Sequence, residues 1–109
     1  QSPDKENEPI ACGWSVPVEK CYSFEPFTEN MNEEEKSHIL GVQANLWTEY
    51  IATQEHLEYM LLPRMAALSE VQWCTPENKS WERFLNSAAR NCERYEVAGY
   101  NFAKHILQK

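Results

Sequence analysis

Leu40-Gly41-Val42-Gln43-Ala44-Asn45-Leu46-Trp47-Thr48-Glu49 opens the stretch that decides the fold, which runs on to Ser69-Glu70-Val71-Gln72-Trp73. Leu40, Val42, Ala44 and Leu46 alternate with Gly41, Gln43, Asn45 and Trp47, the period-two pattern of a strand. One face is aliphatic and suits packing beneath helices. The other passes from small through polar to aromatic, and Glu49 continues its parity. A strand is therefore predicted over residues 39–47. Leu57, Met60, Leu61, Met65 and Leu68 then follow the i, i+3, i+4 rhythm of a helix. Pro63 lies inside that rhythm and removes the amide that would bond to the Tyr59 carbonyl, which predicts a kink or break near Leu62.

Outward from this pair of elements the signals are local. Toward the N-terminus, Asn30 or Asn32 can cap a short helix over Glu33, Glu34, Glu35 and Lys36, with the acids well placed in its first turn. Residues 12–27 hold aromatics, valines, Pro17 and Pro26. They read as an extended, irregular segment packing through Trp14, Tyr22, Phe24 and Phe27, and Pro17 argues against a central strand there. Residues 1–11 are polar and rich in Pro and Glu, as an exposed tail or loop would be. Toward the C-terminus, Thr75-Pro76-Glu77 is a helix start signal. Ser80 can cap a further helix with Trp81, Phe84, Leu85, Ala88, Cys92 and Tyr95 on one stripe, and Gly99 can terminate it. The expected division is an irregular segment over 1–30, a strand and its kinked helix over 31–74, and closing helices over 75–109.

The 109 residues suffice for one small domain with a modest core, and 42% hydrophobic content marks globular material. A net charge of -7 argues against a nucleic-acid or anionic-membrane partner, since either needs a basic face. No apolar run approaches the roughly 20 residues of a membrane-spanning helix. The chain lacks an initiator Met and a signal-peptide pattern, and it reads as a piece cut from something longer. Cys12, Cys21, Cys74 and Cys92 match no zinc or redox spacing. Cys92 falls on an apolar helical stripe, where a free buried thiol is expected, and one disulfide stays open.

A strand whose inward face turns polar toward its C-terminal end is the pattern of a (β/α) barrel at its active mouth. Asn45, Trp47 and Glu49 rise in that order. An indole can lie against the apolar C–H face of a pyranose, and a carboxylate can accept hydrogen bonds from two neighbouring hydroxyls. Trp47 and Glu49 together would make a sugar-sized pocket with one apolar wall. The same pattern also fits a core indole beside a solvated loop acid. Glycoside hydrolysis usually needs paired carboxylic groups. The single aspartate, Asp4, lies in the polar tail, Glu33 to Glu35 belong to a surface turn, and Glu49 has no carboxylate partner in sequence. His38, His56 and His105 have no metal-ligand companion at helical spacing, so no metal or cofactor is expected. For Arg64 and Glu70 the expectation is a buried ion pair or a carbonyl cap at the helix bend.

At residues 41–49, Glu58-Tyr59-Met60, Leu62-Pro63-Arg64, Ala67-Leu68 and Glu70-Val71-Gln72-Trp73, the chain closely resembles family 20 glycoside hydrolases, the β-N-acetylhexosaminidases, in the form found in gut Bacteroidetes. The resemblance reaches from Val18 through Gly99-Tyr100-Asn101-Phe102-Ala103. It implies a mostly α segment with one or two short strands, the last strand and closing helices of a (β/α)8 barrel. A whole barrel takes about 250 residues. It also implies that Trp47 lines the pocket around a terminal N-acetylhexosamine and that Glu49 binds its outer hydroxyls. Trp14 would stand near the leaving-side sugar, although the local pattern there departs from the family. The family's catalytic unit is an adjacent Asp-Glu pair, which this sequence does not contain. The resemblance thus implies the C-terminal segment of a retaining, substrate-assisted exo-hexosaminidase. The parent would act on N-acetylhexosamine-terminated glycans, in the periplasm or outside the cell, and the isolated segment would be inactive. A non-catalytic helical interaction module is the alternative. A lone barrel strand leaves its edges unpaired. The isolated piece is therefore expected either to self-associate by exchanging the strand or to rearrange toward an all-helical core.

Overall fold

The computed structural model describes Glu6, Glu8 and residues 16–107. In chain order these form α1 (Val18–Tyr22), α2 (Glu33–Ser37), α3 (Gln54–Leu61), α4 (Arg64–Trp73), a 3-10 turn (Pro76–Asn78), α5 (Trp81–Ala98) and a second 3-10 turn (Lys104–Leu107).

α5 is the longest element, and its sequence sets both of its ends. Ser80 Oγ accepts from the Arg83 amide at 3.3 Å, filling the N-cap role. Gly99 stops the helix with φ 77°, and the amides of Gly99 and Tyr100 turn back to the carbonyls of Glu96 and Tyr95. That left-handed turn is open to glycine at little steric cost. Phe84, Ala88 and Cys92 are the buried stripe of α5.

The core lies where α1, α4 and α5 meet: Val18, Tyr22, Ala67, Val71, Phe84 and Ala88 are buried together, with Trp81, Leu85 and Ile106 packed against them. Tyr22, Trp81 and Phe84 form a ring cluster with centroid separations of 5.0–5.4 Å. Such offset and tilted pairs add to the burial itself. Residues 18–22 are therefore helical, where an extended segment is expected from sequence. Pro17 excludes a central strand, but its fixed φ of -66° is also compatible with helix entry, and it stands at the N-cap. Of the aromatics expected to pack here, Tyr22 is buried, whereas Phe24 and Phe27 are exposed.

The break at Pro63 is where the sequence places it. α3 ends at Leu61, Leu62 is extended, and α4 starts at Arg64. A residue before proline is disfavoured in the helical region, so α3 cannot run on. Arg64 caps the break: its Nη1 donates to the Tyr59 and Met60 carbonyls at 3.2 and 3.1 Å, and its Nη2 pairs with the Glu8 carboxylate. The C-terminal stretch closes over the same place, with the Ala103 amide bonded to Leu62 O at 3.0 Å. Glu70 is not the partner of Arg64. It accepts from the Tyr22 hydroxyl at 2.8 Å and lies 3.5 Å from Arg83.

Asn32 caps α2 through a reciprocal capping box with Glu35. Thr75 precedes the first 3-10 turn without a side-chain cap; its hydroxyl instead accepts from Asn78 Nδ2 at 3.0 Å.

The strand expected over residues 39–47 is not formed, and no strand occurs among the described residues. Strand geometry persists when its amides and carbonyls join a neighbouring ladder. The described residues offer no second strand to pair with. The aliphatic face is not packed either: Leu40 is 97% exposed, and only Val42 of residues 39–48 is half-buried. Among the described residues the core is built from helices alone.

Candidate functional site

Residues 39–48 form an arm between α2 and α3 with no regular structure of its own. It leaves α2 after the amides of His38 and Ile39 bond back to the Glu35 and Lys36 carbonyls. It ends in a turn over Glu49 and Tyr50, closed by the Ile51 amide on Thr48 O at 3.0 Å. Thr53 Oγ1 then accepts from the His56 amide at 3.2 Å and starts α3. Between these points the arm touches the helices by one hydrogen bond among the described residues, Gln72 Nε2 to Val42 O at 2.6 Å.

Trp47 lies near the C-terminal end of this arm, and Glu49 is in the turn that closes it. Trp47 is 75% exposed, and Glu49 is also exposed. Trp47 is therefore not a core residue, and the carboxylate two positions on is open to solvent. Trp14 lies outside the described residues.

Sequence reasoning missed the groove at the base of the arm. About 580 Å³ in volume, it is walled by Phe27, Leu40, Val42, Val71, Gln72 and Trp73 among others. Trp73 is 89% exposed. Neither Trp47 nor Glu49 lines this groove. Its signal in sequence was the placing of Trp73 just past Gln72 at the end of α4, read there only as part of the helix.

Of the histidines, His105 is half-buried, stacks on Tyr59 and bonds its hydroxyl through Nδ1 at 3.1 Å. No group of three His, Cys, Asp or Glu among the described residues could hold a metal ion. Cys21, Cys74 and Cys92 are free thiols, and burial pushes the Cys92 thiol above its ordinary pKa. The exposed carboxylate of Glu58 is held below its usual pKa, chiefly by the Asn101 amide that donates to it at 2.8 Å and then by Gln54.

Three known proteins that this chain is similar to are of one kind. It is 32% identical over 91% of its length to a Beta-hexosaminidase of Porphyromonas gingivalis, covering 13% of that protein. It is 31% identical over 80% of its length to a Beta-N-acetylhexosaminidase of Cellulomonas fimi, covering 17% of that protein. A Beta-hexosaminidase of Akkermansia muciniphila is 35% identical over 71% of the chain, which covers 16% of it. The chain thus spans less than a fifth of each relative. The family model for the glycosyl hydrolase family 20 catalytic domain matches residues 1–76, most of the chain and all of the arm with its kinked helix, so the chain belongs to glycosyl hydrolase family 20.

Proposed function

We propose that this chain is the C-terminal segment of the catalytic barrel of an exo-β-N-acetylhexosaminidase. The parent releases terminal N-acetylglucosamine or N-acetylgalactosamine from glycans by retaining, substrate-assisted hydrolysis. Trp47 lies against the apolar face of the terminal sugar, and Glu49 accepts hydrogen bonds from its outer hydroxyls. Trp14, outside the described residues, is assigned to the leaving-side sugar. Residues 39–47 take up strand geometry when the neighbouring barrel strands supply their ladder partners.

The observation that carries this reading is the exposure of Trp47 and Glu49 at one end of the arm of a family 20 chain. A large aromatic and an exposed carboxylate two residues apart suit a ligand with one apolar face and a hydroxylated rim.

The division of labour follows from what the sequence contains. Substrate-assisted hydrolysis still needs an acid for the leaving oxygen and a group orienting the acetamido nucleophile. No Asp-Glu dipeptide is present, and Asp4 is the only aspartate. The segment therefore binds and does not cleave. Assayed alone on a chromogenic N-acetylglucosaminide, the 109-residue chain is expected to give no turnover above background; turnover would refute the proposal.

Leu40, Trp47 and Trp73 stand exposed, and in the parent the remaining barrel covers part of that apolar surface. Alone, the chain associates with itself, and a compact monomer in solution scattering would contradict that. The parent acts in the periplasm or outside the cell.

A further inference from the structure

Gln43 and Asn45 precede Trp47 and Glu49 on one parity of residues 39–49. Of residues 39–48 only Val42, on the opposite parity, is half-buried, and it lines the groove with Val71 and Trp73. Gln43, Asn45 and Trp47 line none of that groove and are exposed. Gln43 Nε2 donates to Asn45 Oδ1 at 3.4 Å, a contact open to residues i and i+2 that share a side of an extended backbone. In a (β/α)8 barrel the helices form the outer ring, so the face turned from α4 is the inner one.

We infer that Asn45 is a positioning residue of the parent's active site: on the inner face of the barrel, one layer beneath Trp47, its side-chain amide donates to a carboxylate that another strand brings to the cleavage. This rests on the reading of residues 39–47 as the barrel strand that carries Trp47 and Glu49. Same-face neighbours on a strand stand about 7 Å apart, so Asn45 lies below the sugar pocket. A barrel interior is packed in layers of side chains, and an amide buried there takes hydrogen-bond partners. The Asn45 oxygen accepts from Gln43, which leaves two N–H donors to place. Glu49 is the one charged side chain of residues 39–49, and on a strand it stands about 13 Å further along the same face, out of the amide's reach. The acceptor therefore comes from another strand. The carboxylic groups that cleave are what this sequence lacks, and a neutral amide donor keeps a carboxylate ionised without cancelling its charge.

In the full-length enzyme, Asn45→Ala removes the donor. Asn45→Asp replaces it at equal size with an acceptor and a like charge, and Asn45→Ser keeps a donor at shorter reach. On a chromogenic N-acetylglucosaminide, Asn45→Ala and Asn45→Asp are expected to raise the acidic-limb pKa of kcat/KM by about 0.5–1 unit, because the carboxylate loses a bond that favours its charged form. Both should lower kcat about three- to tenfold at the optimum with KM within about twofold, and Asn45→Ser should fall between the parent and Asn45→Ala. Trp47→Ala and Glu49→Gln run beside them. If those two raise KM while the Asn45 variants keep the parent's pH profile, the inference is overturned and the sugar-binding pair stands. If Asn45→Ala raises KM alone, the amide meets the sugar and not a carboxylate, and the inference is overturned. If all three Asn45 variants fail to fold, Asn45 is structural only and the inference is overturned. If Trp47→Ala and Glu49→Gln change nothing, the site reading and this inference fall together.

Discussion

Tyr22 donates its hydroxyl to the Glu70 carboxylate at 2.8 Å and accepts from the Ser80 amide at 2.9 Å, so one phenol joins α1, α4 and the start of α5. Burial, then the bond to Glu70, raises its pKa above the ordinary phenol value, keeping it protonated and able to donate. Tyr22→Phe keeps the ring cluster but leaves Glu70 short of a donor and the Ser80 amide short of an acceptor. The expected loss is about 1–3 kcal/mol, read as a lower urea midpoint with unchanged m-value.

Gly99 has φ 77° and nothing within 4 Å of where a Cβ would stand. Gly99→Ala therefore meets no neighbour and costs only backbone strain. A loss of about 1 kcal/mol is expected, a few degrees in thermal midpoint. A much larger loss would mean that the turn is doing more than ending α5.

Glu58 ties α3 to the segment after α5 through the Asn101 amide, and its folded pKa lies below the ordinary value of 4.5. A depressed folded value means the unfolded chain takes up the proton first. Stability from this contact is thus complete above the unfolded pKa and is lost as pH falls through the folded one. Comparing wild type with Glu58→Gln, the stability difference should shrink as pH is lowered below about 4.5. A difference independent of pH would show that the carboxylate charge plays no part.

Cys92 is 8% exposed on the buried stripe of α5, whereas Cys21 and Cys74 are half-exposed. Its raised pKa leaves less thiolate, the species that reacts. An aromatic disulfide reagent should label Cys21 and Cys74 in the native chain and reach Cys92 only on unfolding. Early labelling of Cys92, followed by peptide mapping, would contradict the packing of α5.

What the sequence made legible was local. The cap at Ser80, the terminator at Gly99 and the break before Arg64 each depend on a residue's own backbone preference and stand where they were expected, and of Asn30 and Asn32 it is Asn32 that caps α2. Residues 39–47 carry a clean strand pattern, yet a strand is a relation between segments, and pattern alone cannot supply its partner. Residues 18–22 show the reverse: Pro17 ruled out one structure without naming the other, and burial of Val18 and Tyr22 against α4 decided for a helix. The pairings Arg64–Glu8 and Tyr22–Glu70 span 56 and 48 residues, distances over which spacing carries no information. At the site, the family motif picked out Trp47 and Glu49, but the bond from Gln72 to Val42 needed coordinates.

On the proposed reading, Trp47 and Glu49 grip an amino sugar that groups outside this chain cleave. Steady-state kinetics of Glu49→Gln in the full-length enzyme on a chromogenic N-acetylglucosaminide decide it. Removing a charged acceptor from sugar hydroxyls should lower kcat/KM at least tenfold, since such bonds contribute about 1.5–3 kcal/mol. A variant with kcat and KM indistinguishable from the parent would contradict the account.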